Sequence, residues 1–260
     1  MAQLFWMSGR SDLFNPIKFY LVLLISSSQL VLLLTTQIIV TLALFIAVIS
    51  LLVLTVRKPM RRYKPLDLAV FDRLQHFPNP RRNRFMLAIT FLGKHQFLVP
   101  ANLLLIFYFL LGAKQTWLSI RVLAISLSSL VLMLLLKALF GRKRPLSPLL
   151  KAARGLSFPS GHAIMSVAFF GMIIYWVLHA GLPEWIAIVS TVLLVILIVL
   201  IGFSRVYLRV HYASDVVAGF LIGLIWLLIA LAVVAKAETY SLARLSFDYH
   251  TAIHFYEIFG

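Results

Sequence analysis

Apolar residues run in long blocks along this chain, and polar residues gather in the gaps between them. The blocks at 86–111, 117–140, 160–179, 184–203 and 213–235 each match the roughly 20 residues a helix needs to cross a hydrocarbon layer of about 30 Å. An earlier block, 17–56, would make a single helix about 60 Å long, far more than one crossing can use. It contains no Gly, Pro or Asn to mark a turn near Thr35-Thr36-Gln37, so an interfacial helix followed by one crossing at 37–56 is the favoured reading. Segments this apolar satisfy their own backbone only as helices. The pattern predicts an all-α, polytopic transmembrane helix bundle of about six spans with an additional N-terminal interfacial or membrane helix.

No internal repeat or low-complexity linker divides the chain, so 1–260 reads as a single membrane-embedded domain. Residues 1–36 form its N-terminal interfacial or extra helix, with Phe5, Trp6 and Phe14 suited to the interface. Residues 57–84 form a basic amphipathic loop carrying nine Lys or Arg, from Arg57 to Arg84. Within it Leu66, Val70, Leu74 and Phe77 recur at helical spacing and predict a short helix lying on the membrane surface. Residues 236–260 return to mixed polarity and read as an interfacial tail. The polar chemistry is concentrated between 137 and 215.

Composition narrows the class. With 62% hydrophobic residues and a mean hydropathy of +0.99, the chain is too apolar for a soluble domain. The 24 Lys and Arg against 8 Asp and Glu give a net charge of +16. In a membrane protein that excess points to anionic headgroups or phosphorylated substrates and not to nucleic acid. No Cys is present, which removes disulfides and thiolate metal sites. The first apolar run lacks a small-residue cleavage site and is expected to be retained.

If the spans alternate in direction, the 57–84, 141–159 and 204–212 loops share one face. Between residues 85 and 235 the only carboxylates are Glu184 and Asp215, and ionisable groups at membrane depth point to function. Asp215 follows His211 by four residues, so its carboxylate can orient one imidazole nitrogen and leave the other free as a nucleophile. A His capped merely to stabilise a helix start is the alternative. Pro159-Ser160-Gly161-His162 sits where an apolar helix begins and offers free N–H groups, a dipole end and a small residue to an anion. Ser160 alone reads better as an ordinary N-cap, while His162 stands ready as a general acid. Lys137, Arg144 and Arg205 supply fixed positive charge from separate segments, although Lys137 could snorkel to the interface. Arg142, Lys143, Lys151, Arg154 and Arg209 read as headgroup contacts.

Lys137 with Arg144-Pro145 seven and eight residues on, then Pro159-Ser160-Gly161-His162, then Ser204-Arg205 with His211 and Asp215, together resemble all three signature motifs of the type 2 phosphatidic acid phosphatase family. The motifs span about a third of the chain, in the family's order, with no signature position departing from the pattern. The resemblance implies a metal-independent phosphatase of lipid phosphates built as a six-helix transmembrane bundle. In that scheme His211 attacks phosphorus to form a phosphohistidine, Asp215 orients His211, and His162 protonates the leaving oxygen and later activates water. Lys137, Arg144, Ser160, Gly161 and Arg205 hold the phosphoryl oxygens. No cofactor and no metal are implied, and the partners are a phospholipid or polyprenyl phosphate and the bilayer. A phosphotransferase using the same intermediate and a non-catalytic lipid-binding relative are the alternatives, the second disfavoured because both histidines are present. Soluble vanadium haloperoxidases share similar motifs but not this hydropathy.

His250 and His254 have metal-pair spacing with Glu257 one turn on, yet further ligands are missing, and His76, His95 and His179 read as packing or interface residues. The expected location is a bacterial inner membrane. The basic first loop favours a cytoplasmic active-site face by the positive-inside rule; the family resemblance favours the extracytoplasmic face and is followed here.

Overall fold

The computed structural model describes residues 64–74, 79–145 and 155–259, with side chains described from 65 to 241 within those segments. The expected N-terminal helix of 1–36, the crossing at 37–56, Phe77, Lys151, Arg154 and the side chains of His250 and His254 lie outside them. The described elements are all helical: α1 (Lys64–Leu74), α2 (Pro80–Leu92), α3 (His95–Phe107), α4 (Thr116–Phe140), α5 (Gly161–His179), α6 (Glu184–Tyr207) and α7 (Ala213–Phe259). A single π turn, Tyr108–Gly112, prolongs α3. Among the described residues five stretches are long and apolar enough to cross a membrane: His95–Gly112, Thr116–Phe140, Gly161–His179, Glu184–Tyr207 and Ala213–Ser241.

Local chemistry sets most of the helix ends. Asn79 accepts the Arg81 N–H and Pro80 opens α2, a pairing that leaves few orphan donors. Gly141 ends α4 in the left-handed conformation at φ 60°, its N–H bonded to the Lys137 carbonyl, as its place after an apolar block leads one to expect. Three boundaries differ from the hydropathy reading. The 86–111 block is broken at Gly93-Lys94 into α2 and α3, and Gly93 allows close packing there, since a Cβ would stand 2.6 Å from Ile201 Cγ2 and 3.0 Å from His162 Cδ2. α6 runs on to Tyr207, so Ser204 and Arg205 belong to its last turn and not to a loop. The helix begun at Ala213 continues through Phe259.

α5 lies at the centre, against α4, α6 and α7. Close approach of α5 and α7 depends on small residues: a Cβ at Gly219 would meet the Ser160 carbonyl at 2.9 Å, and one at Gly223 the Ile164 backbone at 3.2 Å. The core between these helices is apolar, with Val122, Ile125, Met172 and Ile201 fully buried. Outward faces are apolar too, as on α6 at Ile188, Val192 and Val199, which suits lipid and would be untenable in water.

α1 is rotated relative to the expected stripe. Its inward face is Asp67, Val70, Phe71 and Leu74, while Leu66 is 65% exposed. Phe71 packs against Tyr212, rings 5.6 Å apart. α1 is therefore docked on the bundle beside the start of α7.

Candidate active site

One end of the bundle collects most of the buried polar residues among those described. Lys137 comes from the last turn of α4, Ser160 from the N-cap of α5, Arg205 from the last turn of α6, and Asp215 from the first turn of α7. Backbone bonds stitch these segments together: Ser160 N–H donates to the Asp215 carbonyl at 3.0 Å, Ser157 N–H to Arg142 at 2.7 Å, and His211 N–H to Arg205 at 3.3 Å. The structure thus brings Lys137, Arg144, Ser160, Gly161, His162, Arg205, His211 and Asp215 to one end of the bundle.

The cations are held by acceptors that leave donors to spare. Lys137 Nζ donates to the Leu156 carbonyl at 2.9 Å, so it turns into the site and does not snorkel outward. Arg144 bridges the Gly155 and Val210 carbonyls, both at 3.1 Å. Arg205 gives Nη1 to Thr90 Oγ1 at 2.8 Å. Arg144 and Arg205 lie within electrostatic reach of Lys137, His162 and His211, and the two histidines of one another.

His211 is 1% exposed, just before α7 begins. Its Nδ1 stands 3.6 Å from Asp215 Oδ2, long for a hydrogen bond. Ser157 Oγ occupies the gap, donating to Asp215 Oδ2 at 2.5 Å and lying 3.4 Å from His211 Nδ1. The expected direct turn-of-helix contact is therefore a three-member cluster. Burial pushes His211 down to about 4, against the pull of Asp215 and with the help of the Arg144 and Arg205 charges. At neutral pH its imidazole is uncharged, the state a nucleophile requires.

Ser160 occupies the N-cap position but makes no cap bond, and its hydroxyl is buried without a partner. That corrects the ordinary N-cap reading. His162 Nε2 and Arg205 Nε are also buried and unpartnered. Leaving such groups unmet costs about 1–3 kcal/mol each, and three together at one site form a set of polar atoms waiting for acceptors or donors. Gly161 has a packing reason of its own: a Cβ there would lie 2.9 Å from Met133 Sδ and 3.7 Å from Lys137 Cε.

Arg142 corrects a second expectation. It is not a headgroup contact but is only 12% exposed, with Nη1 2.6 Å from Asp215 Oδ1 and Nη2 2.7 Å from Asp67 Oδ2. Sequence reasoning missed Asp67, Ser157 and Thr90. Asp67 had one usable signal, as one of two acids amid nine basic residues in its segment and in register with Phe71 one turn on. Among the described residues no three His, Asp or Glu side chains gather as a cation site; the fixed positive charge here is ammonium and guanidinium.

Residues 117–239 match the PAP2 superfamily. Phosphatidylglycerophosphatase B of Bacillus subtilis (strain 168) is 31% identical over 151 residues, covering 56% of this chain and 72% of the relative. The chain belongs to the PAP2 superfamily. Its fold agrees with solved PAP2 structures. A transmembrane PAP2-type phosphatidylglycerolphosphate phosphatase from Bacillus subtilis superposes with a TM-score of 0.62 at 26% identity, over 72% of this chain and 94% of that one. LpxE of Aquifex aeolicus superposes with a TM-score of 0.50 at 26% identity, over 64% and 95%. As a PAP2 protein the chain is an integral membrane enzyme of the phosphoric-ester hydrolase class.

Proposed function

We propose that this PAP2 enzyme removes phosphate from a lipid phosphate or diphosphate, of the phosphatidic acid, phosphatidylglycerol phosphate or polyprenyl diphosphate class, without a metal ion and through a phosphohistidine. The observation that carries the reading is the trio of buried, unpartnered polar atoms on Ser160, His162 and Arg205 beside a neutral, buried His211. A tetrahedral phosphoryl group supplies oxygens to Ser160 and Arg205 and a leaving oxygen to His162.

His211 Nδ1 faces Ser157 and Asp215, so Nε2 attacks phosphorus and the bond to the lipid oxygen breaks. His162 gives its proton to that oxygen. Asp215 stabilises the positive charge that develops on the ring, and Lys137, Arg144, Arg205, Ser160 and the backbone at Gly161 bind the phosphoryl oxygens. Water then attacks the phosphohistidine, His162 takes the water's proton, and the phosphorus–nitrogen bond breaks to return neutral His211. Phosphoryl transfer asks chiefly for positioning and charge neutralisation, and three side-chain cations answer that demand.

The test is phosphate release by the detergent-purified protein in excess chelator, from each of the three lipid classes, with His211→Ala as control. Release that resists chelation and vanishes in the control is expected, together with an acid-labile phosphoenzyme in the wild type. Activity retained by His211→Ala, or abolished by chelator and restored by a divalent cation, overturns the mechanism. We further propose an extracytoplasmic active site in a bacterial inner membrane. Because the chain has no Cys, a single cysteine at exposed Lys143 reports the face through an impermeant maleimide on intact cells; labelling only after lysis reverses the assignment.

A further inference from the structure

Asp215 has two carboxylate oxygens in different circumstances. Oδ2 accepts from Ser157 Oγ and from the Tyr212 N–H at 2.9 Å, and faces His211. Oδ1 is held by Arg142 at 2.6 Å. Arg142 is itself fixed on three sides: Nη1 also donates to Ser214 Oγ at 2.8 Å, Nη2 donates to Asp67, and the Tyr212 ring covers the guanidinium at 4.0 Å.

Asp67, 2% exposed on α1, does two things at once. Its Oδ1 accepts the Ser214 N–H at 3.0 Å, one of the free donors of the first turn of α7, and its Oδ2 accepts Ser214 Oγ at 2.7 Å as well as Arg142. A residue 147 positions away in sequence therefore caps the helix that carries Asp215 and anchors the arginine that grips its carboxylate.

We propose that Asp67 and Arg142 are positioning residues for the reaction, a relay from the surface helix α1 that fixes the rotation of Asp215 and shares its charge. Neither touches His211. Both act through Asp215, and the inference rests on the reading of His211 and Asp215 as nucleophile and orienting acid. Arg142 neutralises much of the Asp215 charge, so that the carboxylate orients His211 without drawing a proton onto it. The other groups facing His211 are the Ser157 hydroxyl, Arg144 from the loop, Arg205 from α6 and His162 from α5. Among these only Asp215 favours the imidazolium, and its strength is what Arg142 governs. Asp67 keeps Arg142 from swinging to the membrane surface, where a lone arginine at this position would find headgroups.

Two readouts test the relay on the full chain in detergent, with Arg142→Gln, Arg142→Lys, Asp67→Asn and the Asp67→Asn/Arg142→Gln double variant. The first follows the His211 titration in 15N-histidine NMR spectra, its signal assigned by loss in His211→Ala; it needs no substrate. The His211 midpoint is expected to rise by about one unit in Arg142→Gln and by less in Asp67→Asn and Arg142→Lys. The second follows kcat and KM with dioleoyl phosphatidic acid across pH. Arg142→Gln should lose on the order of 100-fold in kcat, the scale of a misplaced reacting group, with KM nearly unchanged. Lysine should restore part of the loss, and the double variant should be no worse than Arg142→Gln, because both act through one carboxylate.

If wild type releases no phosphate from any lipid, the proposed function fails while the titration still decides the relay. If Arg142→Gln does not fold, the Asp67→Asn and Arg142→Lys titrations carry the decision. A His211 midpoint unmoved in every folded variant overturns the relay and leaves Asp67 and Arg142 as a structural clamp.

Discussion

Arg142 and Arg121 each reach across helices to a buried or half-buried carboxylate, and the two lie at opposite ends of the bundle. Arg121 sits in the second turn of α4 and Lys137 in its last, about 24 Å apart along the axis. At the far end Arg121 pairs with Glu238 of α7, beside the Tyr175 ring at 5.9 Å and a cavity of about 570 Å³ lined mainly by Phe109, Leu118, Ile173, Tyr175 and Trp176. His179, there too, turns Nδ1 to its own helix at the Tyr175 carbonyl. At the near end the arginine–carboxylate pair opens onto an uncharged histidine and three further cations; buried polar atoms without partners occur at both ends, on Ser160, His162 and Arg205 here and on Arg121 and Trp176 there. A cross-helix ion pair is thus a structural device in itself. What sets the near pair apart is the convergence of a histidine and further cations on its carboxylate.

The sharpest test of that contrast is removal of the histidines. His211→Ala is expected to cut kcat by at least about 10⁴-fold, as loss of a nucleophile does, and His162→Ala by about 10²–10⁴-fold as loss of a general acid. Phosphoenzyme trapping separates them: no phosphohistidine forms in the first, and little in the second with a poor leaving group. Equal, small losses would make the near end no more catalytic than the far one. Next in size is Ser160→Ala, which removes a buried hydroxyl that makes no cap bond. A loss of about 10²–10³-fold in kcat with an unchanged melting temperature is expected, the effect of deleting a transition-state donor. A fall in stability with intact kcat would return Ser160 to the role of a helix cap.

Much of this contrast was legible in the sequence, because cations, histidines and a lone acid inside apolar blocks have few reasons to be there. Lys137, His162 and Asp215 stand out on that ground alone. Asp67 and Arg142 did not, since both lie in polar segments where charge is ordinary. The face of α1 was misjudged by one position for a related reason: lipid accepts apolar side chains as readily as protein does, so Leu66 and Phe71 look alike until the docking partner, Tyr212, is known. The break at Gly93 was hidden because no left-handed turn marks it, and the residues that keep position 93 small, Ile201 and His162, lie far along the chain. The Ser157 bridge was equally invisible, because it depends on how three segments meet.

A gentler probe is pH. The His211 value of about 4 lies below the unfolded value near 6.5, so the nucleophilic, neutral form persists as pH falls through 6.5 and is lost only near 4. After correction for ionisation of the substrate phosphate, the acid limb of kcat/KM assigned to His211 should fall near 4 and not near 6.5. Between those values the unfolded chain binds a proton that the folded chain does not, so stability declines as pH falls across the same window. An acid limb at 6.5 would mean that His211 is solvated in the working enzyme.

The smallest expected effect on turnover belongs to the far pair. Arg121→Gln leaves Glu238 without its partner, while the Glu238 and Arg121 side chains are 24% and 15% exposed. Partial exposure places the loss between that of a surface and a buried pair, about 1–3 kcal/mol. The double variant Arg121→Gln/Glu238→Gln should regain part of it, since no charge is then left unmatched. In both, kcat for dioleoyl phosphatidic acid should match wild type at temperatures where the protein is folded. A kcat that fell with the far pair broken, at unchanged stability, would mean that α4 and α7 transmit a signal along their length. The two ends of the bundle would then be one machine, and the separation drawn from their surroundings would not hold.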